Sequence, residues 1–353
     1  MVRKKIFIAG GAGFIGSNFI HYLFQKEKNI SILNFDALTY SGNLDNLKDV
    51  EKNKNYSFVR GDIGDQKAVA VAIKKFAPDY VINFAAETHV DRSIHVGAKE
   101  FIDTNITGVF NILEAVKATP KIKNYVQVST DEVYGSLAFG TREKFKETTP
   151  FAPNVPYAAT KAGGDMLCRA YNHTFKVPVV VTHCSNNYGP YQYPEKLIPF
   201  FVLRILEGKP LPIYGDGKNV RDWVYVLDHC EALRLCLFKG TPGEVYNIGA
   251  DNELNNLQIT KIILDYFKLS KKQLEFIPDR PGHDRRYAID ASKIKRELGW
   301  KPRYHFKQAF KETIDWYLAN KTWAQRVRRK TGVFNPHIDL WEAHNVSAYK
   351  NKK

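Results

Sequence analysis

The chain has 353 residues, 44% of them hydrophobic and 25% charged, a composition that excludes collagen-like, mucin-like and disordered classes and fits a soluble enzyme or binding protein. Lys plus Arg (52) exceed Asp plus Glu (37) by 15, a balance suited to anionic ligands. Cys168, Cys184, Cys230 and Cys236 show no C-x-x-C spacing and no apolar run reaches bilayer-spanning length, so no zinc site, disulfide framework or membrane anchor is expected and the thiols read as reduced, in the cytoplasm.

A β-rich run at 5–9 predicts the first strand. It leads into Gly10-Gly11-Ala12-Gly13-Phe14-Ile15-Gly16 and an amphipathic stretch at 14–25. The glycines break any signal-like apolar opening. They also stand where backbone must approach a pyrophosphate at a helix N-terminus. A lone glycine triplet is weak; spacing of G-x-x-G-x-x-G between a strand and a helix points to a dinucleotide. Further strands are expected at 30–35, 56–59, 80–84, 125–129 and 179–182, and helices at 66–76, 101–117 and 157–175. That alternation argues for an α/β fold, a parallel sheet with helices on both faces.

Asp36 ends the second strand about twenty residues past the glycine loop, where a carboxylate accepts the ribose hydroxyls of adenosine and repels a 2′-phosphate. NAD is therefore expected over NADP. Asp62-Ile63 and Phe84-Ala85-Ala86 follow the third and fourth strands, on the side where the cofactor would lie.

The strand ending at Ser129 continues into Thr130-Asp131-Glu132, a hydroxyl and two carboxylates at the ligand-binding edge of the sheet. Two acids in one cleft can be driven to different pKa values. Tyr157 and Lys161 follow Pro156 and share a helix face. An ammonium beside a phenol is expected to lower the phenol's pKa and make it a base. The Tyr-x-x-x-Lys pair recurs by chance, and its weight here comes from the glycine loop and the strand end before it.

After Ser185 the chain is punctuated by Tyr188-Gly189-Pro190, Tyr193-Pro194, Lys209-Pro210-Leu211-Pro212 and Gly215-Asp216-Gly217, which predicts loops and short elements of a second lobe. The division expected is 1–185 for the dinucleotide, 186–320 mainly for substrate with some segments returning to the first part, and 321–353 as a basic tail. That tail has eight Lys and Arg against Asp339 and Glu342 and little periodicity. It reads as a solvated surface segment rather than a polyanion site.

These motifs are colinear with Asn83-Phe84-Ala85-Ala86-Glu87-Thr88-His89-Val90-Asp91-Arg92-Ser93 and with segments 129–135, 156–161, 185–197, 211–222 and 279–284. Together they resemble the extended short-chain dehydrogenase/reductase family, and within it the nucleotide-sugar 4,6-dehydratases. Epimerases of that family share the glycine loop and the Tyr–Lys pair but lack the Thr-Asp-Glu triplet, so the triplet carries the dehydratase expectation. The usual Tyr-Ser-Ala-Ser-Lys is varied to Ala158-Ala159-Thr160 between Tyr157 and Lys161, which keeps their register.

The resemblance implies a Rossmann-type sheet with a smaller C-terminal α+β lobe, bound NAD, and a catalytic set of Thr130, Asp131, Glu132, Tyr157 and Lys161. It places Gly10, Gly13, Phe14, Ile15 and Gly16 on the cofactor, with Asp36, Leu38, Thr39, Asp62 and Ile63. Phe84, Ala85, Ala86, Thr104, Asn187, Tyr157 and Lys161 complete that set. Thr88, His89, Thr130, Asn186, Lys196, Leu197, Arg221, Asn256, Arg280 and His283 are assigned to a nucleotide sugar, with Pro212-Ile213-Tyr214 against its base. The segment Asp279-Arg280-Pro281-Gly282-His283-Asp284 resembles thymidine-nucleotide enzymes more than uridine-nucleotide ones, and a uridine-nucleotide dehydratase or an epimerase stays open. The implied partners are the small-molecule substrate and a second copy of the chain, joined through 101–117 and 157–175, with neither nucleic acid nor membrane. A silent NAD-sensing or nucleic-acid-binding protein is the rival of another class; the intact five-residue set argues against it.

Overall fold

The computed structural model describes residues 3–329 and 335–350. Its first half runs β1 (Lys4–Ala9), α1 (Phe14–Lys26), β2 (Ile30–Asp36), β3 (Tyr56–Arg60), α2 (Gln66–Phe76) and β4 (Tyr80–Asn83). Then come α3 (Val90–His95), α4 (Lys99–Ile102), α5 (Val109–Lys117), β5 (Asn124–Thr130), α6 (Pro156–Phe175) and β6 (Val179–Cys184). Along β1 the side chains alternate between two apolar clusters, Ile6 and Ile8 in one and Phe7 and Ala9 in the other. A strand can feed two cores this way because successive side chains point to opposite faces. Both faces are therefore covered, as a parallel sheet requires.

The helix expected over 101–117 is interrupted. A π-turn at Asp103–Gly108 separates α4 from α5. The local widening accompanies tertiary bonds: Asn105 accepts from the Glu87 amide and donates to the Glu87 carbonyl and to Thr160, each at 3.0 Å. Such bulges commonly mark functional positions, and Thr104 within this one lines the cofactor cleft described below.

The second half is more helical than its glycine and proline punctuation suggests. It contains β7 (Asn186–Tyr188), α7 (Leu197–Leu206), β8 (Leu211–Tyr214), β9 (Val220–Tyr225), α8 (Val226–Lys239) and β10 (Val245–Ile248). These are followed by β11 (Glu253–Asn255), α9 (Asn256–Phe267), β12 (Leu274–Ile277), α10 (Ser292–Leu298) and α11 (Phe306–Ala319). Helix α9 opens on a reciprocal cap, Asn255 Oδ1 accepting from the Gln258 amide and Gln258 Oε1 from the Asn255 amide, both at 2.8 Å. Strand β10 joins the first half, completing a seven-stranded sheet of order β10–β6–β5–β4–β1–β2–β3 whose pairs are all parallel. Strands β11, β9 and β7 form one small sheet and β12 and β8 another.

The basic segment is not a solvated tail. Helices α12 (Lys321–Arg329) and α13 (Pro336–Lys350) pack on the body, burying Trp323, Ala324, Val327 and Ile338. Trp323 Nε1 donates to Asn46 Oδ1 at 2.9 Å, Arg326 pairs with Asp45 at 2.8 Å, and Arg204 pairs with Glu342 at 2.8 Å. A short apolar stripe between arginines explains the difference, since charged neighbours mask its periodicity. Lys330, Lys352 and Lys353 of the basic surplus lie outside the described residues. Among the described residues no helix is long and apolar enough to cross a membrane, and the four cysteines are free and buried.

The register aligns Ala9 with Phe35 and with Asn83, and Thr130 with Cys184. The carboxyl ends of β1, β2, β4, β5 and β6 thus share one edge. The strand order reverses between β1 and β4, the switch point at which open α/β sheets bind ligands.

Candidate active site

Two connected clefts lie along that edge. Gly10 adopts φ +75° and a Cβ there would meet the Ala85 amide nitrogen at 2.3 Å, so only glycine lets the loop pass against β4's end. Gly13 at the start of α1 would bring a Cβ no nearer than 3.5 Å to anything. Its bare backbone faces both clefts. That open cradle at a helix N-terminus fits a pyrophosphate.

Asp36 is 7% exposed; one oxygen accepts from the Ala12 amide and the other from the Leu38 amide, both at 2.8 Å. It serves as a turn anchor and also lines the first cleft, with Thr39, Asp62, Ile63, Phe84, Ala85, Ala86 and Thr104. Phe14, Ile15, Gly16, Tyr157, Lys161 and Asn187 line the continuation. Of the expected cofactor set, Leu38 alone does not face these clefts; it sits at φ +56° and offers its amide to Asp36. The remaining residues fit an extended dinucleotide.

The catalytic candidates converge where this groove meets the second cleft. Pro156 at the first position starts α6, which carries Tyr157 and Lys161 on its buried face. Lys161 is 4% exposed and its Nζ donates to the Val128 carbonyl at 2.8 Å. Burial lowers its pKa, against the pull of Asp165. Burial is also the largest influence on Tyr157, and with Glu132 it raises the phenol well above its ordinary value, while a hydrogen bond with Thr130 works the other way. The lowering expected from Lys161 is therefore overcome: the pocket buries the phenol beside carboxylates.

The two acids separate. Asp131 is 2% exposed, its Oδ2 has no partner among the described residues, and burial with Glu132 and Asp222 drives its pKa well up. Glu132 is raised by burial, but Arg280, Arg221 and Lys196 pull it back. Burial thus pushes both carboxyls up, Asp131 well up, while three cations oppose the rise at Glu132, an arrangement suited to an acid and a base in one step.

The second cleft receives His89, Asn186, Lys196, Leu197, Pro212, Ile213, Tyr214, Arg221, Asn256, Arg280 and His283 along with Glu132; Thr88 and Thr130 lie in the groove beside it. Arg221 stacks 4.1 Å over Tyr287 and donates to the carbonyls of Val220 (2.8 Å) and Asp284 (3.0 Å). Arg280 donates to Asp91 at 3.0 Å, and its buried Nε has no partner among the described residues. Tyr214 donates to the same Asp91 at 2.9 Å. Burial pushes the His283 imidazole down to about 4 despite its 2.5 Å contact with Asp279, so it is neutral at pH 7. The cleft carries the cationic side chains Lys196, Arg221 and Arg280 and an apolar lining that includes Phe200, Phe201 and Ile213.

Sequence reasoning missed several lining residues. Glu195 sits on both clefts, 3.2 Å from His89 and 3.3 Å from Lys196; its place beside Lys196 was the available signal. Tyr287 also lines the substrate cleft. His229 holds Asn187 Oδ1 at 2.9 Å from within the core. Asn335 and Ile338 reach the same cleft from the C-terminal segment, and nothing in the local pattern placed them there.

The family described as GDP-mannose 4,6 dehydratase matches residues 7–313. The dTDP-glucose 4,6-dehydratase of Xanthomonas campestris pv. campestris (strain B100) is 52% identical over 91% of this chain and 95% of its own. A solved dTDP-glucose 4,6-dehydratase from Bacillus anthracis in complex with NAD is 51% identical, with a TM-score of 0.85 over 92% of this chain and 99% of that one. DesIV, a dTDP-glucose 4,6-dehydratase from Streptomyces venezuelae with NAD and TYD bound, is 43% identical with a TM-score of 0.88 over 92% and 99%.

Proposed function

The chain belongs to the GDP-mannose 4,6-dehydratase family, and from that premise we propose that it converts dTDP-glucose to dTDP-4-keto-6-deoxy-glucose, using NAD that is regenerated in each turnover. The carrying observation is the pair of acids, a buried Asp131 whose pKa is driven well up beside a Glu132 on which three cations act, at the junction of a dinucleotide groove and a cationic cleft. An epimerase needs no such pair. UDP-glucose is the competing substrate. Incubation with dTDP-glucose and UDP-glucose in parallel, reading keto product and sugar mass, tests the assignment; faster turnover of UDP-glucose would overturn the base.

NAD, when bound, supplies the hydride acceptor at C4 and the hydride returned to C6. Tyr157 takes the proton of the 4-hydroxyl, with Thr130 bonded to the same oxygen and Lys161 fixed beneath by the Val128 carbonyl. The 4-ketone acidifies the C5 hydrogen. Glu132 removes that proton while Asp131 protonates the departing 6-hydroxyl, so water leaves across C5 and C6. Reprotonation at C5 completes the sugar. Arg221, Arg280 and Lys196 take the diphosphate, where guanidinium forks match phosphate oxygens.

Two outcomes follow for the ligands. Because the buried Asp36 carboxylate lines the adenosine end, protein denatured after purification should release NAD and not NADP; mainly NADP in the extract would refute that reading. Arg221→Ala should raise KM for dTDP-glucose by about 10- to 100-fold, the scale of a lost charge-assisted bond, with NAD content unchanged. Equal loss of both ligands would mean that the variant had damaged the cleft through Tyr287 and Asp284 instead.

A homodimer in the cytoplasm completes the proposal. Ile102, Phe110, Met166 and Phe175 are exposed apolar side chains on the α4–α5 and α6 surface, which a second copy would cover, and four free buried thiols suit a reducing compartment.

A further inference from the structure

Part of the substrate cleft is lined by a segment beyond residues 7–313 that match the family. There α13 begins, and Asn335 and Ile338 line the cleft. Ile338 is 4% exposed in the same apolar cluster as Phe200 and Ile213. Between them His337 sets its ring 4.9 Å from that of Tyr214 and bonds the Pro278 carbonyl through Nε2 at 2.9 Å, which fixes the segment against the wall of the cleft.

Asn335 is 5% exposed. Its backbone amide already donates to Asp339 Oδ2 at 3.1 Å. Its side-chain Nδ2 is buried and has no hydrogen-bond partner among the described residues. A buried amide donor left unsatisfied is costly and calls for an acceptor. The cleft shows what that acceptor is. A sugar nucleotide with its hexose at Glu132 and its diphosphate at Arg221 and Arg280 has its pentose and base left to place, and the base is the part that suits the apolar lining. A pyrimidine presents ring carbonyls, acceptors without charge, flanked by apolar ring surface; that matches an amide donor beside isoleucine, phenylalanine and tyrosine.

We infer that Asn335 is a base-reading residue, its side-chain amide donating to a ring carbonyl of the pyrimidine nucleotide, and that the start of α13 completes the nucleoside subsite. The inference rests on the nucleotide-sugar reading of the cleft. It assigns a specificity role to a segment that sequence composition marks only as basic. The carbonyl is common to thymine and uracil, so the residue does not select between the two.

Calorimetry of the full-length, NAD-loaded protein with dTDP, and separately with inorganic pyrophosphate, tests this apart from turnover. Asn335→Ala should weaken dTDP by about tenfold, the scale of one neutral hydrogen bond whose partner stays buried, and leave pyrophosphate binding unchanged. Asn335→Asp keeps the shape and turns the donor into an acceptor, so it should weaken dTDP further. Unaltered dTDP binding by Asn335→Ala, or an equal loss for dTDP and pyrophosphate, would overturn the assignment. If the wild type turns over neither sugar nucleotide yet binds dTDP through Asn335, the dehydratase reading fails and this one stands.

Discussion

Tyr157→Phe should abolish oxidation at C4, lowering kcat by about a thousandfold or more, within the range that a positioned acid or base contributes, while the protein keeps its NAD. The ring is 6% exposed and packs edge-on to Phe101 at 6.4 Å, so phenylalanine fills the same space and the fold is undisturbed. What is lost is the atom proposed to take the 4-hydroxyl proton. Burial and the neighbouring carboxylate Glu132 hold the phenol protonated, so its use as a base depends on positive charge brought close to it. Lys161, whose Nζ is held by the Val128 carbonyl, is the residue proposed to supply that charge. Lys161→Met should therefore impair the same step, with NADH failing to appear after substrate is mixed in stopped flow. Tyr157→Phe turnover within tenfold of wild type would remove the tyrosine from the mechanism.

The parts of this site that were legible in the sequence are those fixed by local geometry. The glycine loop follows from a strand and helix meeting at a ligand, the Tyr–Lys spacing from one helical turn, and Asp36 from its place at a strand end. Each needs only residues near in the chain. The parts that were not legible depend on contacts across long separations. Glu195 becomes a site residue because β7 and the loop after it bring it to His89. Asn335 does so because the start of α13 returns to Tyr214, and so short a buried stretch gives no periodic signal. The π-turn at Asp103–Gly108 was invisible for a related reason: it accompanies Asn105's bonds to Glu87 and Thr160 and no propensity of its own residues. Electrostatics was the least legible layer. The Tyr–Lys pair predicts a lowered phenol pKa from two residues, whereas the sign is set by burial and by Glu132 on another element.

Glu132→Gln and Asp131→Asn should separate the elimination into its two proton transfers. Only Glu132 is assigned the C5 proton, and C4 oxidation requires neither acid. Glu132→Gln should accordingly form bound NADH and the 4-keto-hexose, then stall, with overall kcat down by about a thousandfold and little solvent deuterium entering at C5. The amide preserves the side chain's shape between Arg280, Arg221 and Lys196, so substrate binding should survive. Asp131→Asn should stall at a different point. Asp131 has an unpartnered oxygen and a pKa driven up by burial, which suits the donor role toward the departing 6-hydroxyl proposed for it. An amide nitrogen can bond that oxygen but cannot surrender a proton to it in the required charge state. Elimination slows, the 4-keto intermediate persists, and Glu132 continues to exchange its C5 hydrogen, so deuterium enters C5 faster than product forms. Wild-type C5 exchange in Glu132→Gln, or loss of the NADH signal in both variants, would show that the assignment of these acids to the elimination step is wrong.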